Sequence, residues 1–359
     1  MGMRRTLRSS GRRLPRRLAA AALAVLLGAG TLGACGGDDE GGGSGGAAAP
    51  LRLGYFPNIT HATALVGVQR GIFAKHLGTA PRVSTFNAGP SAVEALFSGA
   101  VDATFIGPNP TINAWARSHG KAVKVISGAA SGGASLVVKP EITSVQDLRG
   151  KTIATPQLGN TQDVAARHWL KQNGLTANKD GSGDVKIVPQ ENAQTLQTFA
   201  QGTVDGAWVP EPFASRLILE HKGKRLLNEA SLWPGGKFVV TNLIVRQDYA
   251  KEHPDQVKKL LQGVVEATDF INANPDEAKK SVNEQLTKLS GKPLKQEILD
   301  AAFKEITFTT DPVASSLAQG AEHAEEVGLL EPVDLDGLYD LGPLNEVLKA
   351  SGKAQVSDK

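Results

Sequence analysis

The chain has 359 residues, 41% hydrophobic, 21% charged and 5% aromatic, which excludes disordered, collagen-like and membrane-embedded classes and fits about two globular domains. Its formal charge of +3 is set by seven arginines within residues 1–34; taking those seven from the 39 basic residues leaves 32 against 36 acidic ones, a balance of −4, so the body lacks the basic footprint of a nucleic-acid binder. One cysteine excludes an internal disulfide framework and any multi-cysteine zinc or iron–sulfur site.

The arginines at 4, 5, 8, 12, 13, 16 and 17 run into the apolar stretch Leu18 to Leu27 and then small residues up to Ala34. This is the layout of a secretory signal over 1–34, with an apolar run too short for a membrane span. Leu32-Gly33-Ala34-Cys35 resembles the lipobox of bacterial lipoproteins, which implies a diacylglycerol on Cys35 as the mature N-terminus. The Gly-rich residues up to 50 cannot bury a core, so 35–50 is expected to be a lipidated cysteine and a flexible tether holding the body at the outer face of the cell membrane. Paired arginines leave twin-arginine export open, although no pair sits in a full motif. Gly28-Ala29-Gly30-Thr31-Leu32-Gly33 matches the dinucleotide pattern G-x-G-x-x-G, but it lies inside the signal with no strand before it and carries no such meaning.

From residue 51, short β-branched runs alternate with helical periods, which predicts an α/β fold. Strands are expected at Leu51 to Tyr55, Arg82 to Phe86, Ala103 to Ile106, Val123 to Ser127 and Ser135 to Lys139, then at Thr152 to Thr155, Val185 to Val188, Gly206 to Val209 and Val239 to Val245. Helices are expected at 61–70, 90–98, 110–119, 161–173 and 192–201. A late helix over 254–272 carries Val257, Leu260, Leu261, Val264, Val265, Thr268 and Ile271 on one face, with Pro254 near its start.

An internal echo organises these elements. Gly99-Ala100-Val101-Asp102-Ala103-Thr104-Phe105-Ile106 recurs 103 positions later as Gly202-Thr203-Val204-Asp205-Gly206-Ala207-Trp208-Val209, and both copies lead into a Pro-rich turn. Two copies of one α/β unit imply two lobes with a cleft between them. Ligands gather at the carboxyl ends of parallel strands, where helix N-termini offer free N–H groups, so the architecture suits a small anionic solute.

Catalytic signatures are missing. There is no G-x-S-x-G elbow and no P-loop, and the seven histidines show no local metal-ligand spacing. Neither a cofactor nor a metal is expected.

Several stretches, in order, resemble one family: the lipobox, Leu51-Arg52-Leu53-Gly54-Tyr55, Gly71-Ile72-Phe73, the run Asn87 to Leu96, Val101-Asp102-Ala103 and Ala207-Trp208-Val209-Pro210-Glu211-Pro212. They resemble the nitrate, taurine and aliphatic-sulfonate group of substrate-binding proteins of ABC importers, over most of residues 51–250. The resemblance implies a type II periplasmic-binding fold: two α/β lobes joined by two crossovers around a central ligand cleft. Lobe 1 would comprise 51–138 and 242–359, and lobe 2 139–241. It also implies a monomeric receptor that binds a small-molecule solute and delivers it to an ABC permease. An aliphatic sulfonate is the first choice of solute, with taurine, nitrate, bicarbonate or a pyrimidine precursor of thiamine as alternatives. The competing class is a secreted enzyme on the same fold.

Candidate contacts follow from the strand–turn–helix passages. Asn58 offers an amide donor or a turn cap, and His61 a second donor or a surface ring. Ser91 opens a helix, as do Asn109 and Thr111, whose polar groups either bind or cap. Ser131 and Gly132 lie where backbone can approach a ligand. Asn160, Thr161 and Gln162 begin the first helix of the second lobe and are the favoured site. Trp208 is a pocket wall or core, and Glu211 either faces inward, toward a ligand that also carries an amine, or outward.

Overall fold

Two sheets organise residues 49–359, the part of the chain described by the computed structural model. The expected signal, Cys35 and the tether up to residue 48 lie outside these residues. In chain order the strands are β1 (Arg52–Tyr55), β2 (Arg82–Thr85), β3 (Ala103–Ile106), β4 (Val123–Gly132), β5 (Ala134–Val138), β6 (Thr152–Thr155), β7 (Lys186–Pro189), β8 (Gly206–Pro210), β9 (Lys224–Asn228), β10 (Val239–Arg246) and β11 (Ile306–Phe308). The helices α1 (Ala62–Gln69), α2 (Ile72–Leu77), α3 (Gly89–Phe97) and α4 (Pro108–Arg117) belong with the first three strands, while α5 (Thr161–Gln172), α6 (Asn192–Ala200) and α7 (Phe213–Leu219) follow the strands of the second sheet. After β10 the chain is mostly helical: α8 (Gln247–Glu252), α9 (Pro254–Ala273), α10 (Pro275–Ser290), α11 (Gln296–Lys304), α12 (Ala314–Glu326) and α13 (Gly342–Ala350).

The sheet orders are β2-β1-β3-β10-β4-β11 and β7-β6-β8-β5-β9. In each, three parallel strands meet one antiparallel strand delivered by a crossover: β10 against β3, and β5 against β8. The repeat read from the sequence is therefore structural. Its two aspartates do the same work, Asp102 Oδ2 accepting the Arg52 backbone N–H at 2.9 Å and Asp205 Oδ2 that of Thr152 at 2.8 Å, so each fixes the start of its lobe's first parallel strand.

The crossovers lie earlier than expected. The first lobe's first segment is expected to end at 138, inside the expected strand Ser135 to Lys139, but Ala134–Val138 pairs in register with Gly206–Pro210 in the second sheet. The chain leaves the first sheet at Gly132 and Gly133, both at φ near +80°, a turn that favours glycine. It returns before Val239 rather than at 242, because Val239 already pairs with Ser131 of β4. Strands β9 and β11 were not anticipated.

The largest core lies between the first sheet and α1, α2, α9 and α10. Phe73 is fully buried there, and a Cβ on Gly67 or Gly263 would fall 2.3 and 2.7 Å from its ring, so these two glycines make room for it between α1 and α9. The expected stripe on α9 is buried as the periodicity requires.

Candidate ligand cleft

The carboxyl ends of all six parallel strands, three from each sheet, converge on one cavity of about 310 Å³ counted with its mouth. Phe56, Asn58, Thr60 and His61 reach it after β1, Asn87 after β2 and Gly107 after β3. From the other lobe come Pro156, Asn160, Thr161 and Gln162 after β6, Asn192 after β7 and Pro210 at the end of β8. No Lys, Arg, Asp or Glu among the described residues lines it.

His61 is buried and stacks on Phe56 with centroids 4.4 Å apart. Its Nδ1 accepts the Phe56 N–H at 3.2 Å, which leaves the ring proton on Nε2; burial pushes the pKa down to about 3, so the ring is a neutral donor at any physiological pH. Asn58 Oδ1, Thr161 Oγ1 and Asn192 Oδ1 are buried without a hydrogen-bond partner. A side-chain amide turned end for end presents NH2 in place of oxygen, so each asparagine offers a donor or an acceptor to a ligand.

The helix start that carries Thr161 is held from beneath. Asp163 is fully buried and accepts from Thr155 Oγ1, Gly159 N and the Arg167 guanidinium at 2.9 to 3.2 Å. Losing one partner of such a buried pair typically costs about 3–5 kcal/mol. The lobes touch through the cavity walls: Asn87 Nδ2 donates to Pro156 O at 3.1 Å while its Oδ1 accepts from Asn192 N at 3.1 Å, and Asn160 Oδ1 accepts from Gly89 N at 3.2 Å.

Five of the residues singled out from sequence thus line the cavity: Asn58, His61, Asn160, Thr161 and Gln162. Seven do not. Ser91 is exposed, its Oγ donating to Ala88 O. Asn109 donates to Gly320 O of α12, and Thr111 Oγ1 donates to Gly107 O and accepts from Asn242 Nδ2. Ser131 Oγ accepts the Phe238 N–H, and Gly132 lies against the backbone of Glu305. Trp208 is fully buried in the second lobe and donates to Glu229. Glu211 turns away from the cavity, its Oε2 accepting from Ser215 N at 3.0 Å and its Oε1 lying 3.6 Å from Arg225; burial pushes its pKa up to about 7.

Asn87 and Asn192 were missed as contacts. A signal existed, since Asn192 stands 103 positions after Gly89, the repeat distance of the echo, and both open the helix after their lobe's second parallel strand.

The model of the NMT1-like family matches residues 45–286. A taurine-binding periplasmic protein of Escherichia coli strain K12 is 28% identical over 276 residues, covering 74% of this chain and 83% of that protein. Among solved structures, the periplasmic nitrate-binding protein NrtA of Synechocystis PCC 6803 aligns with a TM-score of 0.71 at 16% identity, over 84% of this chain and 88% of that one. The alkanesulfonate-binding protein SsuA of Xanthomonas axonopodis pv. citri, bound to MOPS, aligns at 0.65 and 20% identity, over 79% and 94%. At these identities the structures show the fold, the type II fold of periplasmic binding proteins. With a family model matched across more than half its length, the chain belongs to the NMT1-like family.

Proposed function

We propose that this chain is an extracytoplasmic solute receptor of an ABC import system, which closes two lobes on a small anionic solute and passes it to a permease. The observation that carries this reading is the cavity itself: six strand ends converge on a space without charged side chains, walled by neutral donors and three unpartnered polar atoms. A buried polar atom without a partner is rare and costs about 1–3 kcal/mol, so a ligand that pairs with it gains that much. The similarity to taurine-, nitrate- and alkanesulfonate-binding proteins supports the class.

Within that class an aliphatic sulfonate is the first choice. Thr161 Oγ, His61 Nε2 and the amides of Asn58, Asn192 and Gln162 would hold the oxygens, while Phe56, Pro156, Pro210 and Val240 would cover a short alkyl tail. Membrane attachment through lipidated Cys35 belongs to the same proposal, and mass spectrometry of the mature N-terminus tests it. A thermal-shift screen of alkanesulfonates, taurine, nitrate, bicarbonate and pyrimidines tests the receptor, because ligand at about 100 times its dissociation constant stabilises by roughly 2.7 kcal/mol. A shift with sulfonates and no turnover is the expected result. Turnover of a hit by purified protein would favour the secreted-enzyme alternative.

A further inference from the structure

Glu229, in the second crossover, is 1% exposed, and among the described residues no cation pairs with it. Its Oε2 accepts the Trp208 indole N–H at 2.7 Å, and its Oε1 has no hydrogen-bond partner. Burial pushes its pKa up to about 7, against the smaller opposing pull of the Trp208 and Trp233 indoles. A glutamate this deeply buried is uncommon unless a positive charge balances it.

The same residue lines a second cavity, of about 700 Å³ counted with its mouth, between α5 of the second lobe, α12 of the first and the crossover. It shares no lining residue with the ligand cleft. Four of its ten lining residues carry rings: Trp169, Trp233, and His168 and His323, which stack across the two lobes with centroids 3.6 Å apart. Trp233 rests one face on Phe238 and leans toward His323 at 5.3 Å. Indole faces attract cations, and a single buried carboxylate beside them supplies the opposite charge.

We propose that this second cavity binds a small organic ammonium ion, held against Trp169 and Trp233 and balancing Glu229. Because its walls come from both lobes, an occupant favours their closed arrangement, and by reciprocity a solute in the cleft strengthens ammonium binding by the factor that ammonium strengthens solute binding. The other charged or titratable groups at this place are His168 and Lys171 on α5 and His323 and Glu326 on α12. Burial keeps both imidazoles neutral, whereas protonation of Glu229 opposes a cation, so affinity rises as pH passes through about 7.

The test titrates the full chain at pH 8 with benzylammonium, tetramethylammonium and neutral benzyl alcohol, followed by tryptophan fluorescence and calorimetry. Benzylammonium is expected to saturate and to bind at least about tenfold more tightly than benzyl alcohol, a difference that Glu229→Gln abolishes. Trp233→Leu, at a half-buried position, provides a second variant and should weaken both cations by about fivefold or more. Thr161→Ala should leave ammonium binding intact, which separates this site from the cleft. No saturation by either cation up to about 10 mM, where a millimolar site fills, overturns the proposal. So does benzyl alcohol binding as tightly as benzylammonium, or Trp233→Leu binding both cations as well as the native chain.

Discussion

Gly107 and Thr161 meet across the cleft so closely that a Cβ on Gly107 would lie 2.4 Å from Oγ1 of Thr161. Gly107 has φ −74° and ψ 162°, a conformation open to any residue, so what requires glycine here is the approach of the other lobe. Gly107→Ala should therefore fold normally and fail to close. The expected outcome is an apo melting temperature within a few degrees of the native chain and solute affinity lower by tenfold or more, about 1.4 kcal/mol. Removing Oγ1 leaves the nearest Thr161 atom at 3.5 Å, an ordinary contact. In a Thr161→Ala background the added cost of Gly107→Ala should thus shrink, and a full cost in both backgrounds would rule out the steric account.

Asn87 is the only side chain among the described residues seen to pair with the second lobe through both ends of its amide, to Pro156 O and from Asn192 N. Asn87→Ala removes both bonds at once. At about 0.5–1.5 kcal/mol each, affinity should fall by roughly fivefold to 150-fold. On the proposed closing-receptor reading the loss belongs mainly in the dissociation rate, since both bonds run from one lobe to the other. Stopped-flow release of a solute found by the screen measures it, and an unchanged off-rate would mean that the bonds do not hold the closed state.

Thr111 and Thr161 look alike in sequence, each near the start of a helix after a parallel strand, but they separate by partner. Thr111 Oγ1 is fully engaged by Gly107 O and Asn242 Nδ2, whereas Thr161 Oγ1 has none. Thr111→Ala should lower stability by about 1–3 kcal/mol by stranding the Asn242 amide, with little change in affinity. Thr161→Ala should weaken an anionic solute by roughly 10-fold to 150-fold, the range for a hydrogen bond to a charged group, while the apo melting curve stays put. Calorimetry on both variants decides, and the reverse pattern would move the site to the α4 loop.

That contrast shows where sequence reading stops. The α/β alternation, the two lobes and the converging strand ends were legible because hydrophobic period and the 103-residue echo are local or repeated signals. Asn109 and Thr111 misled because helix α12, which packs on α4, claims Asn109 through Gly320 O, 211 positions away. Trp208 and Glu211 lie on or beside a strand covered on both faces, where nothing in the local sequence tells which way a side chain is engaged. The crossover boundaries shifted for a related reason: β5 reads as one more strand in series, and only its antiparallel pairing with β8 assigns it to the second sheet.

Stability should be highest and nearly level between about pH 4.5 and 6.5 and lower on both sides, because two sets of buried groups titrate in opposite senses. His61 and His323 have pKa values pushed down by burial to about 3 and about 4, and His168 is lowered as well. The unfolded chain takes up these protons first, so the stability tied to the neutral rings is complete above about pH 6.5 and lost as pH falls toward 4 and below. Glu211 and Glu229, raised to about 7, act the other way: the folded chain keeps their protons longer, and the stability linked to the neutral acids, full below about pH 4.5, disappears as pH rises through 7. Between 4.5 and 6.5 the two sets largely cancel; below 4.5, and from 6.5 to about 7, each uncompensated proton gives a slope of about 1.4 kcal/mol per pH unit, and above about 7 both sets are deprotonated in the folded and the unfolded chain and the slope vanishes. Urea denaturation from pH 3 to 8 should show a broad maximum with a steeper acid limb and a small fall between pH 6.5 and 7. Glu229→Gln should leave the slope below pH 4.5 unchanged, reduce the fall between 6.5 and 7, and tilt the level stretch so that stability rises with pH by about 1.4 kcal/mol per unit between 4.5 and 6.5; a stretch as level as the native chain's in that variant would show that Glu229 ionises normally in the folded chain.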